Sequence, residues 1–436
     1  MKGRFFFSFN KFSRILMVMA VLCLVAVLLG VVLTGCAPEE APVEDPAEEP
    51  EDEVEPEAPE KLVFGGARSL SGPLAFFDET AFGPIYRMWV EEVNDRGGIY
   101  VEEFGKQIPV ELKIYDDTSD VGTMTNMLER LILEDEVDFI LPPTSTAGLF
   151  AAGPLAQEYG YVLIGAEGGC SSIVDDLAEM EYFFSSLNFA DHQVPALVKL
   201  FVNEGLESAA IIYIDDLHGV EYEGVARPAL EAAGVEIAFS TSVPMGTDDL
   251  TSQLRDAEAA GVDAFLGFVY PDEGFLAVGQ SMEMGYNPDL FLLGPGPCYQ
   301  VFKDDVFGPA VEGVMGWGAW NRDSTPEASD FTDRLVEYTG SESIIDWWGH
   351  LPYYAGLQCL EQAIEKAGTL DHEKIQEILN NETFDTVLGE TWFERGSIAE
   401  ECYAGQVGQW IEGKWEVVGP VDKATADPVV PKPEWP

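Results

Sequence analysis

Thr144, Ser145 and Thr146 follow Pro142 and Pro143, and these two prolines close a short, mostly apolar run at 137–141. That run reads as a buried strand of a parallel sheet. A helix starting just after it leaves hydroxyls and free backbone N–H groups gathered at one point, an arrangement that suits a carboxylate or another anion. The same residues also serve as plain helix caps, and both readings stand at this level. Catalysis has less to work with. There is no GxSxG, no HExxH and no Gly-rich phosphate loop. Ser145 with His218 would make a nucleophile and base, but no orienting acid accompanies them. Of the four histidines, His192, His350 and His372 read as surface or helix residues, and His218 stands at a strand end. The pairs Asp116-Asp117 and Asp215-Asp216 also stand at strand ends. They read as caps, since no EF-hand spacing surrounds them. No enzyme, metal or cofactor is therefore expected.

The elements that hold these residues alternate. Strands at 61–67, 110–115, 137–141 and 161–164 are separated by helices at 86–95, 123–134 and 147–159, with short connections. Gly97-Gly98 and Gly160 are helix exits. A second series follows, with helix 191–204, strand 209–214, helix 222–233, strand 235–240, helix 249–260, strand 264–269, helix 274–284 and strand 290–293. The result is an α/β chain with two parallel-sheet modules, at 61–186 and 187–315, and right-handed crossovers. Helices at 347–366 and 372–379 are expected to return to the first module. Strands at 407–411 and 415–418, turning at Glu412-Gly413-Lys414, are expected to return to the second. Trp317, Trp320, Trp347 and Trp348 read as core or hinge packing, with Trp317 or Trp320 facing the cleft.

The first 60 residues stand apart. Lys2, Arg4, Lys11 and Arg14 precede the uncharged apolar run 15–33, which ends in Leu33-Thr34-Gly35-Cys36. This is a secretory signal with a lipobox-like end, so Cys36 becomes the lipid-bearing mature N-terminus; the competing reading is an uncleaved membrane anchor. Residues 37–60 form a disordered, acidic, Pro-rich tether. Both readings put the body outside the cytoplasm. The net charge is −55, and setting aside the four basic residues of 1–36 and the twelve acids of 39–60 still leaves 19 basic and 66 acidic residues. A chain so acidic does not bind nucleic acid through its phosphates. A saline habitat and simple solubility both account for the charge. Cys170, Cys298, Cys359 and Cys402 lack CxxC spacing and leave three pairings open, with Cys359 on an apolar helix face.

Leu70-Ser71-Gly72-Pro73-Leu74, Glu91-Glu92-Val93-Asn94-Asp95-Arg96-Gly97-Gly98-Ile99 and Tyr115-Asp116-Asp117 resemble the opening of the branched-chain amino-acid and amide binding proteins of ABC importers. Ala156-Gln157-Glu158-Tyr159-Gly160, Ala232-Ala233-Gly234-Val235, Gly261-Val262-Asp263-Ala264 and Ala363-Ile364-Glu365-Lys366-Ala367-Gly368 continue the likeness in the same order. The resemblance implies a type I periplasmic binding protein fold, in which two doubly wound parallel-sheet lobes are joined by three crossovers. The lobes would comprise 61–186 plus 317–389, and 187–316 plus 390–436. They would close like a clamp on a small polar or amphipathic solute: an amino acid, amide or short carboxylate. The closed form would meet an ABC importer permease. The protein would act as a monomer, anchored to the membrane by lipid.

Phe77, Asp78, Ser145, Thr146, Glu167, Gly168 and Gly169 would serve the first lobe, and His218, Tyr270 and Asp272 the second. One departure concerns the ligand. Where the family's amino-acid binders carry an ammonium-binding acid, this chain has Gly294-Pro295-Gly296-Pro297-Cys298. Glu167 or Asp272 would take that part, or the solute is not an α-amino acid. The fold also serves as a receptor ectodomain, so the alternative is a tethered sensor signalling through a partner, since fourteen residues before the apolar run hold no output domain.

Overall fold

In the computed structural model, the first strand, β1 (Leu62–Arg68), pairs in parallel with β2 (Val110–Asp116) on one side and β3 (Phe139–Ile140) on the other. The structure describes residues 57–166, 180–188, 190–318 and 320–436. Cys36, Cys170, Glu167, Gly168 and Gly169 lie outside them. The described residues belong to one compact unit.

Between β1 and β2 runs helix α1 (Gly83–Asp95), preceded by a π-helical turn at Phe77–Phe82. Gly97 and Gly98 end α1 with φ of 100° and 105°, a conformation that a Cβ resists. Helix α2 (Val121–Leu133) is capped by Asp120, whose side chain accepts from the Thr123 N–H, and it buries Met124, Leu128, Leu131 and Ile132. It lies so close to β1 that a Cβ on Gly65 would come within 2.9 Å of Val137 and 3.0 Å of Leu131. Helix α3 (Thr146–Tyr159) starts after Ser145 and leaves through Gly160 in the left-handed region. Strands β4 (Leu163–Gly165) and β5 (Phe183–Ser185) pair next to each other. Phe64 stacks on Phe139 at 4.9 Å and meets Trp89 edge-on at 5.0 Å, and each ring so buried is worth about 1.5–3 kcal/mol.

Helix α4 (Ala190–Glu204) opens the second lobe. Strands β6 (Ser208–Ile214), β7 (Glu236–Val243), β8 (Ala264–Phe268), β9 (Leu290–Leu293) and β10 (Met315–Trp317) alternate with helices α5 (Leu217–Ala232), α6 (Thr251–Ala260) and α7 (Pro271–Met284). With β11 (Val407–Ile411) and β12 (Lys414–Gly419) they form one sheet in the order β12-β11-β10-β9-β8-β6-β7. The last two strands are antiparallel and turn through Glu412 and Gly413, both at positive φ, as a tight hairpin requires.

Helices α8 (Pro326–Thr339) and α9 (His350–Ala367) return to the first lobe and pack on α1, followed by α10 (His372–Asn381). Arg334 reaches Glu92 at 2.5 Å, and Trp89 donates to Glu361 at 3.1 Å. The chain thus passes between lobes after Asn188, after Gly318 and after Ile398. Among the described residues, no helix is long and apolar enough to cross a membrane.

Several sequence expectations shift. The strand expected over 137–141 pairs only at Phe139–Ile140, because Pro142 and Pro143 follow so soon. Helix α8 and strands β5 and β10 were not anticipated: the helix shows mostly charged residues, and each strand is three residues long, too short for a period to register. Strands Phe393–Glu394 and Ser397–Ile398 join β5 through Ser397 beside Ser185, so the chain just past 390 lies with the first lobe's strands. His350 and His372 are helix residues, one of the two readings offered for them; His350 is buried and His372 half-buried, and both rings are hydrogen-bonded. His350 Nδ1 accepts from the Asp346 N–H, and His372 Nδ1 from the Val162 N–H. Cys298, Cys359 and Cys402 are buried free thiols.

Candidate functional site

The carboxyl ends of β1 and β3 in the first lobe, and of β6, β8 and β9 in the second, face a shared cavity. Its first-lobe wall is Phe77, Phe82, Ser145, Thr146 and Tyr353; its second-lobe wall is His218, Tyr270 and Pro295; Leu187 and Trp348 close it near the crossings. The enclosed space is about 30 Å³, room for one or two waters. Two larger surface depressions, of about 350 and 600 Å³, are lined by intermixed acids and bases. The small cavity is the better candidate because it gathers loops from both sheets at the edge where open α/β sheets bind ligands.

Ser145 sits at φ 78°, and its Oγ accepts from the Gly148 N–H at 3.2 Å. Capping and cavity lining therefore coexist here. Thr146, 2% exposed, is the first residue of α3, so the positive end of that helix faces the cavity. The α5 and α7 N-termini reach the same space through His218, in the first turn of α5, and Tyr270, the residue before α7. The side-chain hydroxyl of nearby Thr144 is buried without a partner.

Rings from the two lobes touch directly. Phe77 meets Tyr270 edge-on at 5.7 Å, and Phe76 meets Tyr299 at 5.0 Å. His218 lies parallel to Tyr270 at 5.2 Å and against Tyr222 at 4.8 Å. Tyr270 donates its hydroxyl to Asp216 at 2.6 Å, while Asp216 also caps α5 through the Gly219 N–H. Burial pushes the His218 imidazole down to about 4, so it is neutral at pH 7, and its Nε2 is buried without a partner.

Of the residues expected from sequence, Phe77, Ser145, Thr146, His218 and Tyr270 come together. Asp78 lies behind the wall: its Oδ1 accepts from Arg68 Nε at 3.0 Å. Arg68 is fully buried, donates to the Pro142 carbonyl at 2.5 Å and lies over the Phe82 ring. Asp272 is exposed and does not line the cavity, whereas its neighbour Glu273 is buried and accepts from the Gly246 N–H. Glu167, Gly168 and Gly169 lie outside the described residues. Among the described lining residues there is no Asp, Glu, Lys or Arg, and His218 is neutral at pH 7. Asp116 and Asp117 accept from Leu70, Ser71, Thr118 and Ser119 as turn caps, and no metal-holding cluster occurs among the described residues.

Sequence reasoning missed Phe82, Leu187, Pro295, Trp348 and Tyr353 as wall residues. Trp348 was visible as one of four tryptophans read as core or hinge packing; Trp317 and Trp320 are core residues in line with that reading, and neither is the one that faces the cleft. Phe82 and Tyr353 carry no local signal; they meet at 4.3 Å only because α9 packs back on the first lobe.

A family model described as periplasmic binding protein matches residues 62–413. The chain is similar to Leu/Ile/Val-binding protein homolog 7 of Brucella suis biovar 1 (strain 1330), with 26% identity over 387 residues, 84% of this chain and 94% of the relative. It shares its fold with the leucine binding protein LivK of Thermotoga maritima MSB8, with TM-score 0.68, 19% identity and coverage of 81% of this chain and 97% of the other. It is also similar to a solute binding protein of an ABC transporter from Rhodopseudomonas palustris BisB5, solved in complex with 3,4-dihydroxybenzoic acid. There the TM-score is 0.71 and the identity 17%, covering 85% and 98% of the two chains.

Proposed function

This chain belongs to the periplasmic binding proteins, and from that premise we propose that it captures a small carboxylate with an apolar or aromatic body and delivers it to an ABC importer. The observation carrying this reading is the composition of the cavity wall: aromatic rings, two hydroxyls at the positive end of α3, and no charged side chain among the described lining residues. A helix N-terminus with hydroxyl donors stabilises a carboxylate. An α-ammonium group finds no counter-charge on that wall, and desolvating it unpaired is costly. The named relatives include a leucine binder and a binder of 3,4-dihydroxybenzoic acid, and the second kind of solute suits such a wall better.

The space of about 30 Å³ is smaller than any such solute, so entry requires the lobes to part and close again. Cys36 carries the lipid in this proposal, and residues 37–60 hold a monomeric body away from the membrane. Titration calorimetry of the mature protein with 3,4-dihydroxybenzoate, benzoate, leucine and benzylamine tests the solute class. The carboxylates should bind and benzylamine should not. Binding of benzylamine alone, or of leucine with no response to either benzoate, overturns the reading. Intact-mass measurement of membrane-extracted protein tests the anchor, and a species retaining Met1 would refute it.

A further inference from the structure

Trp348 touches the solute cavity and the hinge at once. Its side chain borders the cavity and is 6% exposed. Its indole Nε1 donates to Asn188 Oδ1 at 2.7 Å, and Asn188 in turn donates to Gln406 Oε1. Asn188 lies on the first crossing between lobes and Gln406 on the third. The second crossing meets the same ring. Gly318, at φ +57°, lies so near that a Cβ there would come within 1.6 Å of Trp348 Cδ1. Only a glycine fits this position, because no side chain can occupy the space of the indole. The Trp348 backbone is fixed as well, its N–H donating to Asp346 Oδ1 at 2.9 Å. Neither Asn188 nor Gln406 lines the cavity.

We propose that Trp348 is a positioning residue that ties solute contact to lobe closure, through the chain Trp348–Asn188–Gln406 and through its seat on Gly318. It rests on the clamp reading above. When the lobes rotate, all three crossings must bend. A ring held by two of them directly, and linked to the third through one amide, cannot keep its place in the cavity wall unless the crossings adopt the closed geometry. A solute packed against Trp348 therefore favours that geometry, and the hinge reciprocally sets the solute's affinity.

Trp348→Phe keeps an aromatic ring, a smaller one, and removes the donor, and Gln406→Ala cuts the relay at its far end without altering the wall. Each single variant should bind 3,4-dihydroxybenzoate about three- to tenfold more weakly. The double variant should bind no more weakly than the worse single one, because both break one chain. In the empty protein, small-angle scattering should give both variants a larger radius of gyration, since a hinge contact is lost. Wild-type affinity in Gln406→Ala, or strictly additive losses, overturns the coupling. Should wild type itself ignore 3,4-dihydroxybenzoate, the solute reading fails, yet the scattering of the empty variants still decides this one. An expanded hinge in both supports it, and unchanged radii overturn it.

Discussion

The two walls of the cavity solve the same problem in opposite ways. The first-lobe wall is built on a buried ion pair: Arg68 at the end of β1 holds Asp78 and the Pro142 carbonyl, and so joins the Phe77 turn to the Pro-Pro exit of β3. Its polar atoms are hydroxyls at a helix start. The second-lobe wall is neutral: His218 and Tyr270 stack there, backed by the buried Tyr222 and steadied by one hydroxyl on Asp216. The comparison separates orienting from covering. The first wall offers donors fixed before any solute arrives, while the second offers flat apolar area with a single unpartnered ring nitrogen at hand. Under the proposed clamp closure, the fixed donors of the first wall would make the first contact, through Ser145 and Thr146.

The largest test of that division concerns the scaffold. Asp78→Ala leaves the Arg68 guanidinium buried without its carboxylate, which should cost about 3–5 kcal/mol of folding stability, read as a fall in denaturant midpoint. A midpoint within experimental error of wild type would mean that Asp78 serves the solute and not the wall. Next in size is Thr146→Val, which keeps the shape of the residue and removes its hydroxyl. A hydrogen bond to a charged group is worth about 1.5–3 kcal/mol, so affinity for 3,4-dihydroxybenzoate should drop ten- to a hundredfold, about that energy, at an unchanged melting temperature of the empty protein. Equal loss for a neutral amide of the same solute would remove the carboxylate from this position.

The second wall should respond more weakly. His218→Phe preserves the stack and removes the nitrogens, so affinity should fall by about 0.5–1.5 kcal/mol, the worth of one neutral hydrogen bond. The same variant carries a pH signature. The folded His218 pKa of about 4 lies below the unfolded value of 6.5. The stability held by the neutral ring is therefore fully present above about pH 6.5 and is lost as pH falls toward 4. Acidification also relieves the repulsion of a −55 chain, so the measurement is the difference between wild type and variant. Wild type should lose stability relative to His218→Phe between pH 6.5 and 4. A difference independent of pH would mean that the ring is solvated or charged in the folded protein.

How much of this the sequence revealed depended on distance along the chain. Thr144, Ser145 and Thr146 were legible because a strand, two prolines and a helix start are local signals, each set by neighbours within a few residues. Strand ends also gave His218 and Tyr270. The partner of Asp78 was not legible: a carboxylate after a strand looks the same whether it faces a solute or a buried guanidinium ten residues earlier. Tyr353 and Trp348 were beyond reach for another reason. The return of α9 to the first lobe was expected, but which residues there meet the cavity is set by how the helix packs on α1 and the Phe77 turn, and nothing in their flanking residues encodes that packing. The late crossing was misjudged likewise, because Phe393–Glu394 and Ser397–Ile398 are two-residue strands whose sheet is chosen by tertiary pairing.

The smallest expected effect bears on the solute itself. Asp272 is the second-lobe acid that sequence position offered to an ammonium group. It sits in the first turn of α7, as does Glu273, but the two point to different surroundings: Asp272 is exposed, and Glu273 is buried on the Gly246 N–H. An exposed carboxylate acts on a solute only through high-dielectric, salt-screened water, where a charge contact is worth well under about 1 kcal/mol. Asp272→Asn should therefore change affinity for 3,4-dihydroxybenzoate less than about twofold, and a small gain is favoured because a negative charge near an anionic solute has been removed. Leucine offers the contrast. If Asp272→Asn weakened leucine binding tenfold while sparing the benzoate, the acid would be reaching the ammonium in a closed form unlike the one described. The second wall would then be a charge-reading surface and not a cover. An equal, negligible effect on both solutes leaves the donors of the first wall as the place where the charge is read.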